Sequence, residues 1–168
     1  MPPPPEGATE NEIKRRLIVQ SLVKTEKSYI TSLETVEHDY RRRLLTMKIL
    51  DPGVVEQMFE GVDAILERHR MFGNALDAVV MEWDTKQSVG EIFCASFSNQ
   101  MVLECYSKFI NALPDNLELI GKMCKRKPAF LEFCTQQQRE QGELIYFIFN
   151  VILNVYLKRT ILTCTGSC

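Results

Sequence analysis

No glycine or proline interrupts the chain between Gly7 and Pro52, and within that stretch apolar residues recur at the helical step. Ile18, Leu22, Tyr29, Leu33, Val36, Tyr40 and Leu44 stand three or four apart where the pattern is unbroken, with Thr25 filling the one polar step. This spacing gathers them on one face of a helix over residues 13–47, a face meant for a core. At 1.5 Å of rise per residue such a helix runs for roughly 50 Å, more than one core crossing needs, so its ends should reach beyond the core.

The rest of the chain keeps the same period. Asp51-Pro52-Gly53 offers a cap and a proline suited to a first helical turn, so the first helix should end near residues 47–49 and a second should begin there. Val55, Met58 or Phe59, Val62, Ile65 or Leu66, His69, Phe72, Leu76 and Val79 carry that second helix to about Trp83, with Gly61 and Gly73 tolerated or marking bends. Trp83 reads as packed core. After a polar turn at 84–88, a third stretch from Val89 carries Phe97, Met101, Cys105, Phe109 and Ile110, and Leu113-Pro114-Asp115-Asn116 should break it. Leu117, Ile120 and Cys124 form a short helix that Lys127-Pro128 stops, and Ala129, Phe130, Phe133 and Cys134 open one more. Nothing up to residue 140 alternates with period two over a useful length. The fold class is all-α, a helical bundle.

A net charge of −2, with both signs interspersed, gives no basic excess for phosphate neutralisation and so argues against a nucleic-acid binder. The clusters Arg41-Arg42-Arg43 and Lys125-Arg126-Lys127 read as solvated helix faces or termini before lipid or phosphate sites. The six cysteines include no Cys-x-x-Cys pair, and His38 and His69 lie near none of them, which speaks against zinc. Cys94, Cys105, Cys124 and Cys134 fall in apolar helical patterns and read as buried, reduced thiols, consistent with a cytoplasmic protein. His38 and His69 read as ordinary helix residues. Residues 1–12, opening with Pro2-Pro3-Pro4-Pro5, read as a disordered lead-in.

Beside the core stripe of the first helix runs a second row, Val19, Val23, Glu26 and Ile30, interrupted by one carboxylate. Glu26 is either a solvated residue paired with Lys24 or Lys27, or the acid of an apolar docking surface, aimed at N–H groups or a cation on a partner. The run Leu22-Val23-Lys24-Thr25-Glu26-Lys27-Ser28-Tyr29-Ile30-Thr31-Ser32-Leu33 resembles the first conserved region of Dbl-homology domains, the exchange factors of Rho-family GTPases. Val89-Gly90-Glu91-Ile92-Phe93 and Pro128-Ala129-Phe130-Leu131-Glu132-Phe133 are similar to the opening and close of that family's second region. The resemblance covers residues 13–140.

The resemblance implies an elongated helical bundle that binds a GDP-loaded Rho-family small GTPase and promotes nucleotide release, with no covalent chemistry and no cofactor or metal of its own. Glu26 stands where the family's glutamate meets the first switch of the GTPase, the catalytic contact, and Val19, Val23 and Ile30 would flank it. The family's third region, a long helix with a Lys-Pro-x-Gln-Arg motif, is not recognisable after Gln136-Gln137-Gln138-Arg139, and no pleckstrin-homology domain follows. The expectation is therefore a domain truncated before that region, with weak exchange activity or none; the alternative is a non-catalytic interaction module that binds a GTPase or interferes with a longer form. Residues 141–168 read as a divergent tail. The run from Leu144 to Leu157 is a buried last helix, a strand-like aggregation segment or a marginal membrane anchor within 144–164, the last not favoured because about 20 apolar residues are needed to span a bilayer.

Overall fold

The computed structural model describes residues 3–83 and 88–141. Most of the polar turn at 84–88 and all of the tail from residue 142 onward lie outside them, and with the tail its three readings. Among the described residues every regular element is helical.

The long rod is present and begins earlier than the period alone indicates. Helix α1 spans Glu10–Thr35, and Thr9 caps it: Thr9 Oγ1 accepts from the Glu12 backbone N–H, while Glu12 Oε2 lies 2.7 Å from the Thr9 N–H it receives. This reciprocal box is written in the sequence as Thr9-x-x-Glu12 and pulls three residues of the expected lead-in into the helix. The rod continues as a π-helical segment, Val36–Arg42, and then as α2, Arg43–Met47, which ends on Lys48 in the left-handed conformation (φ 53°). Asp51 caps α3, Pro52–Met58, by accepting from the Gly53 N–H at 2.8 Å, with Pro52 in the first turn.

Three boundaries differ from expectation. The second helix is broken into α3 and α4, Val62–Met81, because Gly61 adopts φ 84°, a region open to glycine at little steric cost. The third stretch is broken between α5, Gly90–Phe97, and α6, Gln100–Arg126, because Asn99 caps a new helix by accepting from the Met101 N–H at 2.8 Å. Pro114 does not break α6: its ring lies on the exposed side, and Phe109 and Asn116, buried on either side of it, keep the helix packed through the missing hydrogen bond. The last described helix, α7, spans Pro128–Gln141.

The core is strung along the rod in four clusters. From the start of α1, Val19 packs with Val79, Val80 and Trp83; Phe72 and Leu76 pack with Phe97 and Val102, and Leu22 and Val23 lean on them. Tyr29, Leu33 and Val36 then meet Val62, Ile65, Leu66 and Phe109, while Tyr40 and Leu44 meet Val55, Met58, Phe130 and Phe133. Trp83 is buried, as its pattern implies. The expected stripe holds at Leu22 and from Tyr29 to Leu44 and fails at two positions before that: Ile18 is 67 % exposed and Thr25 faces solvent, while Val19 and Glu26 are buried. The inward line of α1 therefore runs through Val19, Glu26 and Leu33 at steps of seven, one residue out of phase with the line drawn through Ile18 and Thr25.

The basic run is tied down. Arg41 and Arg42 both donate to Glu37, Arg41 also reaches Glu56 at 2.6 Å, and Arg43 sits over the Phe133 ring and near Glu140. Of the cysteines, Cys105, Cys124 and Cys134 are half-buried free thiols, but Cys94 is exposed, so the expectation of burial fails there. No helix among the described residues is long and apolar enough to cross a membrane.

Candidate functional site

The row singled out on α1 lies along its seam with α4. Val19 is buried under Trp83, Val23 and Ile30 are half-buried, and Glu26 lies between them with 2 % of its surface exposed. Gly73 of α4 makes the close approach possible: a Cβ there would come within 2.8 Å of Ile30 Cδ1 and 3.8 Å of Glu26 Cγ. On the solvent side the two helices are stapled by Lys27 and Asp77 at 2.9 Å. These two residues, with Val23, Lys24, Val80 and Met81, line an open groove along the seam.

Neither lysine reading of Glu26 holds. Its Oε1 lies 2.6 Å from Nδ1 of His69, a residue with no exposed surface, and Lys27 is engaged by Asp77 instead. The reason is positional: Glu26 falls on the inward line of α1, where an unpartnered carboxylate would carry a large desolvation cost, and α4 supplies the matching donor. The carboxylate is therefore aimed into the bundle, at His69, in the unbound chain.

His69 is the residue that sequence reasoning passed over. Beyond Glu26 it meets Tyr106 of α6, whose hydroxyl lies 2.7 Å from Nε2, and its ring is held edge-on by Tyr29 at a centroid distance of 4.4 Å and flanked by Phe97. Burial, then the charge of Glu26, pushes the Tyr29 phenol well above its ordinary value. The Tyr106 phenol is raised likewise, by burial first and by Tyr29 and Glu26 after it. Glu26 and Tyr106 thus give each ring nitrogen of the buried His69 a polar partner, the direction of each bond being set by the charge and tautomer of the ring. The only advance signal was His69's place in the apolar period of its helix: an imidazole on a core line needs partners for both ring nitrogens.

The arrangement joins a carboxylate, an imidazole and a phenol in one buried hydrogen-bonded line. Among the described residues no cluster of histidine, cysteine, aspartate and glutamate could hold a metal ion.

Known proteins place this geometry in context. The chain is 42 % identical over 138 residues to Rho guanine nucleotide exchange factor 10-like protein of Bos taurus, and 38 % identical over 138 residues to Rho guanine nucleotide exchange factor 10 of Homo sapiens. Each alignment takes in 81 % of this chain but only 11 % and 10 % of the relative, so the chain spans about a tenth of the length of the curated proteins it matches. Among solved structures it superposes on the DH/PH fragment of PDZRHOGEF, crystallised in complex with human RhoA, with a TM-score of 0.78 and 18 % identity, covering 88 % of this chain and 44 % of that one. At that identity the likeness is one of fold. The family model described as RhoGEF domain matches residues 18–152, which contain the whole Glu26 row, His69 and Tyr106 and run past residue 140, and by that match this chain belongs to the RhoGEF domain family.

Proposed function

We propose that this chain is a guanine nucleotide exchange domain acting on a Rho-family small GTPase, with Glu26 as the residue that meets the GTPase and Val19, Val23 and Ile30 as its supporting row. The observation that carries the proposal is the position of Glu26 within the motif from Leu22 to Leu33, in a chain that belongs to the RhoGEF family and shares the fold of domains crystallised with RhoA. Such a domain works by differential binding. It holds the nucleotide-free GTPase more tightly than the GDP-loaded one, lowers the barrier to release, and leaves the final equilibrium unchanged. No cofactor of its own is required. Val23, on the wall of the seam groove, offers an apolar contact beside Lys24 and Lys27. For Glu26 itself to reach a GTPase, the partner's donor must enter the seam between the half-buried Val23 and Ile30 and share the carboxylate with His69. The half-buried free thiols suit a reducing compartment, and we place the chain in the cytoplasm.

Release of fluorescent GDP from RhoA and other Rho-family GTPases, with the chain and with its Glu26→Ala variant, tests the proposal. Acceleration by the parent chain, cut roughly tenfold or more in the variant, is expected from loss of a charge-assisted contact of the transition complex. The burial of Glu26 favours one other reading, a domain that binds the GTPase without promoting release. GTPase capture with no acceleration by either chain would establish that reading and remove the proposal.

A further inference from the structure

We propose that the corner between α6 and α7 is a docking surface for an anionic lipid membrane, with Lys122, Lys125, Arg126 and Lys127 as its charged contacts and Leu131 as the side chain that enters the lipid. None of these residues belongs to the exchange reading above. The two basic runs of the sequence end differently. Arg41, Arg42 and Arg43 are engaged within the bundle by Glu37, Glu56 and Glu140. Lys122, Lys125, Arg126 and Lys127 are all exposed, and among the described residues no carboxylate forms an ion pair with any of them. Glu118 and Glu132, the nearest acids in sequence, are exposed as well and pair with none of the four.

The fold gathers these charges. At about 100° per residue, Lys125 and Arg126 stand about 60° and 40° to either side of Lys122, so three cations share an arc of about 100° on α6. Ile120, Met123 and Cys124 turn the other way and pack against the core of Tyr40, Leu44, Phe130 and Phe133. Lys127 sits at the corner itself in extended backbone (φ −127°), and its carbonyl accepts from the Leu131 N–H at 3.1 Å, which sets Leu131 one turn above it on α7. Leu131 is 50 % exposed. Lys125 and Arg126, in the last turn of α6, also suit the negative end of its dipole, but Lys122, a turn earlier, and Lys127, past the end, are not needed for that.

A basic cluster alone fits any polyanion. The exposed leucine within one turn of it decides for a bilayer, whose headgroups meet the cations while its acyl boundary takes the apolar side chain. Four cations in a chain of net charge −2 are too few for a nucleic-acid track. The corner closes the core at Tyr40 and Leu44, the far end of the rod from Val19 and Trp83, so this surface does not overlap the groove of the α1–α4 seam.

The test is co-sedimentation of the full chain with vesicles of phosphatidylcholine, with and without phosphatidylserine, at low and at high salt. The variants are Lys125→Gln with Lys127→Gln, Leu131→Ser, and a charge-matched control, Lys14→Gln with Lys108→Gln, each checked for folding by its melting transition. The parent is expected to bind the anionic vesicles only and to be released by salt. Binding should fall about fivefold for each cation removed from the corner, a few-fold in Leu131→Ser at unchanged charge, and less than about twofold in the control. No binding by the parent, or parental binding by the Lys125, Lys127 variant, overturns the proposal. Equal binding to neutral and anionic vesicles that survives high salt also overturns it, as does binding to heparin or duplex DNA in place of vesicles. Parental binding by Leu131→Ser removes the lipid surface and leaves a patch for soluble anions. Nucleotide release enters none of these outcomes, so the exchange reading and this one fail separately.

Discussion

Tyr29 and Tyr106 wall His69 from two sides, and both phenols are raised above the ordinary value of 10.0, chiefly by burial. The consequence for stability follows from the sign of the shift. Each group binds its proton more tightly folded than unfolded, so its contribution is fully present below pH 10 and is lost as the pH climbs toward the folded value. Melting temperature measured from neutral pH to strongly alkaline pH should therefore hold until about pH 10 and fall beyond it, and Tyr29→Phe should fall less steeply than the parent. Equal slopes would mean that the Tyr29 phenol is not held as described. The Glu26–His69 bond itself was not legible in the sequence. It joins residues 43 apart, and a period of apolar positions shows which residues face inward but not which inward polar groups will meet. Glu26 stood at the point where two candidate lines on α1 run one residue apart, and only the position of α4 decides between them. Cys94, expected to be buried, is exposed for another reason: α5, with 8 residues, is too short for its period to fix a face.

The α1–α4 pair is the element on which the site depends, and Gly73 sets its spacing. Alanine in place of glycine inside a helix is worth about 1 kcal/mol in propensity, but here its Cβ would stand 2.8 Å from Ile30 Cδ1. That atom is the free end of a flexible side chain, so Gly73→Ala should leave stability within about 1 kcal/mol of the parent, the gain and the clash offsetting. Gly73→Leu has no such escape and should cost about 1–3 kcal/mol by thermal or urea unfolding, with the seam forced open. A Gly73→Leu variant as stable as the parent would show that the helices are not in close contact there. Element existence is readable from period alone, and element boundaries where a cap stands in the sequence, as at Asp51-Pro52; the caps at Thr9-x-x-Glu12 and Asn99 mark boundaries that the period by itself does not show. Pro114 and the π-helical turn at Val36–Arg42 were not readable. A proline's cost can be outweighed by packing that only the fold supplies, and no residue pattern marks the π turn, within and just after which Tyr40 and Leu44 pack against α3 and α7.

At the scale of the whole molecule, one rod carries four small cores among the described residues; α4 contributes to three of them, and α3 and α7 close the fourth. Leu33, 1 % exposed, belongs to the core that Tyr29 and Val36 share with Val62, Ile65, Leu66 and Phe109. The elongated all-helical architecture and the family were both legible, because motifs at Leu22–Leu33, Val89–Phe93 and Pro128–Phe133 are local in sequence and need no tertiary knowledge to be read. What those motifs do together is a claim about two states of a partner, and it reduces to one comparison: the affinity of this chain for RhoA stripped of nucleotide against its affinity for RhoA loaded with GDP and magnesium. Exchange by differential binding predicts that the stripped form is held at least about tenfold tighter, some 1.4 kcal/mol, with the preference reduced in Glu26→Ala. Equal affinity for the two forms, or for parent and variant, would contradict it.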